Sequence, residues 1–200
     1  MSYRSRIASA LLLAVVALAA SLAGASIKIK IEFDKTYNFA ALRTYGWHPD
    51  GAGEVKLLST LEEDPAAVLA RFGPVLQGAL EVELAKRGLV PAPAGTKPNV
   101  YIHYYILIGP NSESQFRGQF IGGVPAWGLP DFAMTTTALK IYEQGTVVLD
   151  FVDVPRMEII YRGIGQTELQ RMRSAQERDQ RVRDGVAELL KKFPVKPAKK

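Results

Sequence analysis

The sequence contains no cysteine. Thiol nucleophiles, thiolate metal sites and disulfides are excluded together, so a fold built from this chain stands on packing alone. Histidine is nearly as scarce. His48 and His103 are the only two, and neither sits in a metal-ligand motif. His103 reads as an ordinary polar aromatic on a sheet face. No G-x-S-x-G elbow is present for Ser-His-Asp catalysis. The glycines between Gly118 and Gly123 are followed by neither a lysine nor a helix start, so they make no phosphate loop. Internal repeats are lacking, no cofactor is implied, and no apolar run after residue 25 is long enough to span a bilayer.

A basic body is also missing, although the net charge of +5 suggests one. Arg4 and Arg6 lie in the first segment, and Lys191, Lys192, Lys196, Lys199 and Lys200 lie at the end; without them the remaining chain is slightly acidic. This argues against nucleic acid as a partner.

What is present at the start is an export signal: Arg4 and Arg6, the apolar stretch from Ile7 to Ala20, and the small residues Ala23-Gly24-Ala25. Leu22-Ala23-Gly24 would open a lipoprotein signal if cysteine followed, but Ala25 stands where the lipid-accepting thiol would be. We therefore expect residues 1–25 to be a signal peptide, cleaved between Ala25 and Ser26 without lipidation. The alternative is an uncleaved N-terminal membrane anchor, because the stretch from Ile7 to Ala25, at about 1.5 Å per residue, reaches across most of a bilayer core. Either route leads to the periplasm or cell envelope, with no stable membrane span once the signal is cleaved. Residues 26–193 have the length of a single domain, and 194–200 form a Lys-rich tail.

"IKIKIEFD" places Ile27, Ile29, Ile31 and Phe33 on one face and charges on the other, the pattern of a half-buried strand. A short strand is predicted at Thr44–Trp47, stopped by the turn residues His48-Pro49-Asp50-Gly51, with a loop from there to Asp64. Asp64-Pro65 supplies an N-cap and a first-turn proline. Gly73-Pro74 then predicts a break and a separate helix from Pro74 to Arg87, carrying Leu76, Ala79, Leu80 and Leu84, with Gly88 as its stop. "NVYIHYYILIG" is a strand with Val100, Ile102, Tyr104 and Ile106 on one face and His103 opposite, beside Tyr101 and Tyr105. From Gly109 to Met134 the sequence turns Gly- and Pro-rich.

Three strands at Thr135–Tyr142, Thr146–Asp153 and Met157–Gly165 read as an antiparallel meander. Ser174 and Glu177 form a capping box for a last helix with Val182, Val186, Leu189, Leu190 and Phe193 on its apolar stripe, ended by Pro194. Glu177 with Arg181 and Asp179 with Arg183 are expected surface pairs. The resulting expectation is an α+β fold: a two-layer sandwich of an antiparallel sheet with two main helices packed on one face.

The run of "FDKTYNFAALRTYGW", "ALEVELAKRGL", "NVYIHYY", "YEQGTVVLDFVD", "IIYRGIG" and "LLKKFP" resembles the bacterial envelope family called domain of unknown function 4136. Its most specific pieces are Gly145-Thr146 leading to Asp150 and Asp153, and Tyr161-Arg162-Gly163. Many members resemble lipoproteins, from which Ala25 departs, and Asn99 stands where the family often has Asp. The resemblance implies an α+β fold and an envelope address, and it supplies no activity and no catalytic residues.

Asp150 lies in mid-strand, where a bare charge is costly to bury. Arg162 in the next strand is its candidate partner in a scaffold pair, provided the turn puts both on one face; the alternative is a polar ligand site. Asp153 precedes a proline turn and is expected to fix it. In the Gly109–Met134 stretch, Phe116, Phe120 and Trp127 are candidates for contact with a partner, an envelope protein or glycan, or else fold back over the sheet. We read the protein as a non-catalytic binding or assembly module. The alternative is a hydrolase of an envelope polymer acting through carboxylates such as Asp150 and Glu158.

Overall fold

The computed structural model describes residues 27–57, 64–108, 145–167 and 174–197. In chain order the described elements are β1 (Lys28–Phe33), a 3-10 turn (Phe39–Ala41), β2 (Thr44–Trp47), β3 (Gly53–Leu57), α1 (Pro65–Ala85), β4 (Val90–Pro91), β5 (Val100–Ile108), β6 (Gly145–Asp153), β7 (Glu158–Thr167) and α2 (Ala175–Leu190). The strands form one mixed sheet in the order β1-β7-β6-β5-β2-β4, with β3 also paired to β5. Both helices pack on one face of it, giving the expected α+β sandwich. The expected strand at Thr135–Tyr142 and the Gly109–Met134 stretch lie outside the described residues.

The sheet is antiparallel only from β1 to β5. β2 and β3 both run parallel to β5, against Val100–Ile102 and Tyr104–Ile108 respectively. They amount to one interrupted strand alongside β5, broken by His48–Ala52, with β4 paired outside its first half. The His48 N–H bonds to Ile102 O and the Tyr104 N–H to Ala52 O, so the interruption is spliced onto β5 at both ends. The turn residues His48-Pro49-Asp50-Gly51 therefore mark a bulge inside that strand, not its end, and the expected loop up to Asp64 contains β3.

Nor does Pro74 break the helix: α1 is continuous from Pro65 to Ala85. Pro74 and Ala70, whose carbonyl loses its partner, both face solvent, so water can take the lost bond. The buried stripe runs through the proline, from Val68 and Gly73 to Leu76, Ala79, Leu80 and Leu84. The Asp64 side chain accepts from the Ala66 N–H at the start. At the end, Gly88 takes φ +75°, and the Leu89 N–H closes on Leu84 O. On α2 the Ser174 hydroxyl accepts from the Glu177 N–H, but Asp179 pairs with Arg178 at 2.7 Å instead of the expected Arg183.

The core lies between helices and sheet. Val100, Ile102, Tyr104, Ile106 and Ile108 of β5 face it, as do Leu149 and Phe151 of β6. A bulge opposite Phe151/Val152 turns two successive β7 residues, Ile160 and Tyr161, into the same core. Tyr104 docks α1: a Cβ on Gly53 would come within 2.0 Å of its ring, and one on Gly73 within 3.0 Å of its hydroxyl. That hydroxyl also accepts from Gln77 Nε2 at 3.1 Å.

Leu80→Ala is expected to lower the unfolding free energy by about 2–5 kcal/mol, and Tyr104→Phe by about 1 kcal/mol. Gly53→Ala should cost at least as much as Leu80→Ala, because the Tyr104 ring has nowhere to go. Urea melts measure all three; a loss below about 0.5 kcal/mol for Leu80→Ala would place that side chain outside the core.

Candidate functional site

Register brings four polar residues into one row across the sheet face turned away from the helices: His103 opposite Asp150, Asp150 opposite Arg162, and Arg162 opposite Glu32. Arg162 Nε donates to Asp150 Oδ1 at 2.7 Å and its Nη2 to Oδ2 at 2.6 Å. Both residues are buried, 1% and 4% exposed. Burial pushes the Asp150 carboxyl up, and the two guanidinium bonds draw it back. A fork-to-fork pair of this kind satisfies both partners and offers no free base.

His103 Nδ1 stands 2.8 Å from Gly51 O. A carbonyl only accepts, so the imidazole is held with its proton on Nδ1. Burial lowers its pKa, with the Gly51 bond opposing and the nearby His48 adding to the shift. The Tyr105 ring packs against it in a tilted contact at 4.5 Å, and burial with the Asp150 charge pushes that phenol up to about 12.

Asp153 closes the β6–β7 turn. Its Oδ2 accepts from both the backbone N–H and Nε of Arg156, and its Oδ1 accepts from the Tyr37 hydroxyl at 2.8 Å. Met157, at φ 53°, completes the turn by donating its N–H to Asp153 O.

A second feature lies on the helix side. Between α1, α2 and the sheet is a cavity of about 280 Å³. Its walls are Phe72 and Leu76 from α1, Ile106 and Ile108 from β5, Val147 and Gly165 from the adjoining strands, Ile27, and Val182, Gly185, Val186 and Leu189 from α2. Arg178 and Arg181 supply the only charges among its described lining residues. Three glycines, Gly145, Gly165 and Gly185, are among its lining residues, and a Cβ on Gly185 would meet only Ile27, at 3.7 Å. Ile108 and Gly145, which flank segment 109–144, both line the cavity.

The structure thus brings Asp150 and Arg162 together and keeps Asp150 and Glu158 apart. Glu158 is opposite Asp153 at the start of β7, three residues along β6 from Asp150, or roughly 10 Å. Phe116, Phe120 and Trp127, and the cleavage residues Ala25 and Ser26, lie outside the described residues. Among the described residues no group of three His, Asp or Glu side chains could hold a metal ion. Sequence reading did not find the cavity. Its α1 wall includes Phe72, which a break at Pro74 would detach from the helix, and the one available signal was the recurrence of glycine at Gly165 and Gly185 on core-facing positions.

Asp150→Asn should destabilise the fold by about 3–5 kcal/mol, because it removes the carboxylate that holds the buried Arg162 in a bidentate pair; a urea midpoint within error of the parent would show that the pair is not structural. Because folding lowers the His103 pKa, the unfolded chain binds that proton more readily. The resulting stability is complete above the usual histidine value of 6.5 and is lost as pH falls below it. The slope should be at most about 1.4 kcal/mol per pH unit, and His103→Gln should flatten it in urea melts between pH 7.5 and 5.

Comparison with solved structures bears on the fold. A DUF4136 family protein from Bacteroides thetaiotaomicron superposes with a TM-score of 0.54 at 16% identity, over 84% of this chain and 96% of that one. A PDZ domain protein from Parabacteroides distasonis gives 0.47 at 15% identity, over 93% of this chain but 40% of that one. The PelC dodecamer from Paraburkholderia phytofirmans gives 0.44 at 9% identity, over 87% and 100%. The last two likenesses are too weak to carry an argument. No curated protein matches the chain. The family model described as "Domain of unknown function (DUF4136)" matches residues 29–195, nearly the whole of the chain beyond its first apolar segment, and the protein therefore belongs to the DUF4136 family.

Proposed function

We propose that this protein is an exported, non-catalytic module of the cell envelope that binds an apolar ligand between its helices and its sheet. The observation that carries the reading is the cavity of about 280 Å³. Its size is near the lower end of small-molecule sites, and its lining is apolar but for Thr146 and the two arginines. No carboxylate, histidine or serine is among the described lining residues, and an apolar lining of this kind suits holding a molecule. In the polar row on the other face Asp150 and Arg162 are paired, Glu32 meets Lys30 at 2.7 Å and His103 Nδ1 meets Gly51 O, which suits a scaffold.

The envelope address rests on the first 25 residues, with their arginines, apolar run and Ala23-Gly24-Ala25 ending. Among the described residues no helix is long and apolar enough to cross a membrane.

Two measurements test the reading. The intact mass of the native protein should correspond to a chain beginning at Ser26 with no acyl addition, and Ala25→Cys should add lipid; a mass retaining residues 1–25 defeats the cleavage claim. A neutral naphthylamine fluorophore should bind saturably at one site per chain. Gly185→Leu, which fills the cavity from α2, should abolish the signal. A dye response that never saturates, or that survives Gly185→Leu unchanged, would remove the cavity as the binding site.

A further inference from the structure

An open sheet edge is a template for pairing with another chain. Among the described residues the sheet ends on one side at β4, which has two residues and includes Pro91, a residue with no N–H to offer. β3 lies on that same side and has five residues. On the other side the sheet ends at β1, six residues without a proline, paired among the described residues to β7 alone. It is the longest open edge of the described sheet.

The phase of β1 is set by its neighbour. The Asp34 N–H donates to Ile160 O at 2.9 Å, one step beyond the last register pair. In an antiparallel ladder the bonded residues alternate, so Glu32 and Lys30 also turn their backbone groups to β7, and Ile29, Ile31 and Phe33 turn theirs to the open edge. The side chains divide the same way. Ile31 and Phe33 pack on the core, and Ile29 lies near Gly165 and Leu189 on the helix side. Lys30 and Glu32 share the opposite face and meet at 2.7 Å.

Read in both directions from Ile31, "IKIEF" is self-complementary: apolar Ile29 answers Phe33, and the cation Lys30 answers the anion Glu32. We propose that two copies of the chain pair antiparallel through β1, on a two-fold axis at Ile31, making one continuous sheet with the helices of both copies on the same face. Ile31 then exchanges backbone bonds with its own counterpart, and Ile29 with Phe33 on either side. Lys30 of each copy stands opposite Glu32 of the other, and the four side chains form a square of alternating charge. The backbone phase allows only slips of whole pairs. A slip one way sets Lys30 against Lys30 and the other way Glu32 against Glu32, and both repel, so charge selects the register.

The test is sedimentation of the full processed chain from about 1 µM to about 1 mM, where the average mass should rise from one chain toward two. Lys30 is 48% exposed at its side chain, so Lys30→Glu should leave the melting temperature unchanged. It sets carboxylate against carboxylate twice in the interface and should weaken association at least about tenfold. Lys30→Glu combined with Glu32→Lys in one chain reverses both charges and should bring association back to within about threefold of the parent. As a readout that does not depend on the fold tolerating a lysine at position 32, Ile31→Cys should form an intermolecular disulfide on mild oxidation, because facing Cα atoms of a bonded pair are about 5.5 Å apart. Lys30→Cys should not, because its counterpart lies on the diagonal at roughly 7–8 Å.

A single-chain mass over the whole range would overturn the proposal. So would a dimer that Lys30→Glu leaves unchanged, since its contact would lie elsewhere, β3 included. Faster crosslinking by Lys30→Cys than by Ile31→Cys would overturn the register and the charge argument with it. None of these residues lines the cavity, so the outcome is independent of whether the cavity binds a ligand.

Discussion

Slipping β6 against β7 by one residue would turn Asp150 or Arg162 toward the helices and leave a charge among Leu149, Phe151 and Tyr161. Such a charge costs several kcal/mol. The bidentate pair across these strands therefore holds the register of the sheet's centre, and much of the domain follows from it. With Arg162 opposite Asp150, the neighbouring Tyr161 and Gly163 of the same short motif must face the core. The Tyr161 hydroxyl donates to the Leu189 carbonyl near the end of α2. A Cβ on Gly163 would come within 3.1 Å of the Leu189 side chain, so that glycine sets how closely α2 approaches. One tripeptide thus ties a strand to its neighbour on one face and to a helix on the other.

The helix α1 is seated by a different device. Tyr104 projects from the central strand into a slot left by Gly53 and Gly73, and its hydroxyl meets Gln77. At the far end Arg87, buried between the helices, donates to Leu190 O at 2.8 Å and to Glu83 at 2.7 Å. Tyr104 thereby seats the middle of α1, and Arg87 ties the C-terminal ends of the two helices together. On the other side of the Tyr104 seat, the cavity is lined by Phe72 and Leu76 of α1 and Val182, Gly185 and Val186 of α2, with Gly145 and Gly165 of the sheet. Its existence follows from anchoring two helices on a glycine-bearing sheet rather than from any single binding residue.

Asn99 shows how a family feature becomes physical. Its Oδ1 accepts from the backbone N–H groups of Arg43 and Thr44 and from the Thr44 hydroxyl, fastening the start of β2 to the start of β5. An aspartate oxygen would accept the same three bonds. Asp153 likewise serves geometry, holding its turn through Arg156 and Tyr37. Asn99, Asp150, Arg162 and Asp153 are thus spent on construction, while Gly145, Thr146 and Gly165 of the same motifs line the cavity.

What the sequence alone determined is what depends on neighbours within a few residues. Alternation in "IKIKIEFD" and "NVYIHYYILIG" specified β1 and β5, Asp64-Pro65 and Ser174 with Glu177 specified the helix starts, and Gly88 the stop, because period, caps and left-handed backbone are local. Asp150 and Arg162 were recognisable as partners, but only the β6–β7 turn and its bulge decided that they face each other. Tertiary structure alone decided the parallel pairing of β2 and β3, since pairing direction depends on where distant strands are placed rather than on their composition. It also decided the continuity of α1 through Pro74, because the cost of an interior proline turns on whether the freed carbonyl reaches water. The cavity belongs wholly to that level. An empty volume is bounded by residues from five elements, and no local pattern in a sequence records where they will fail to touch.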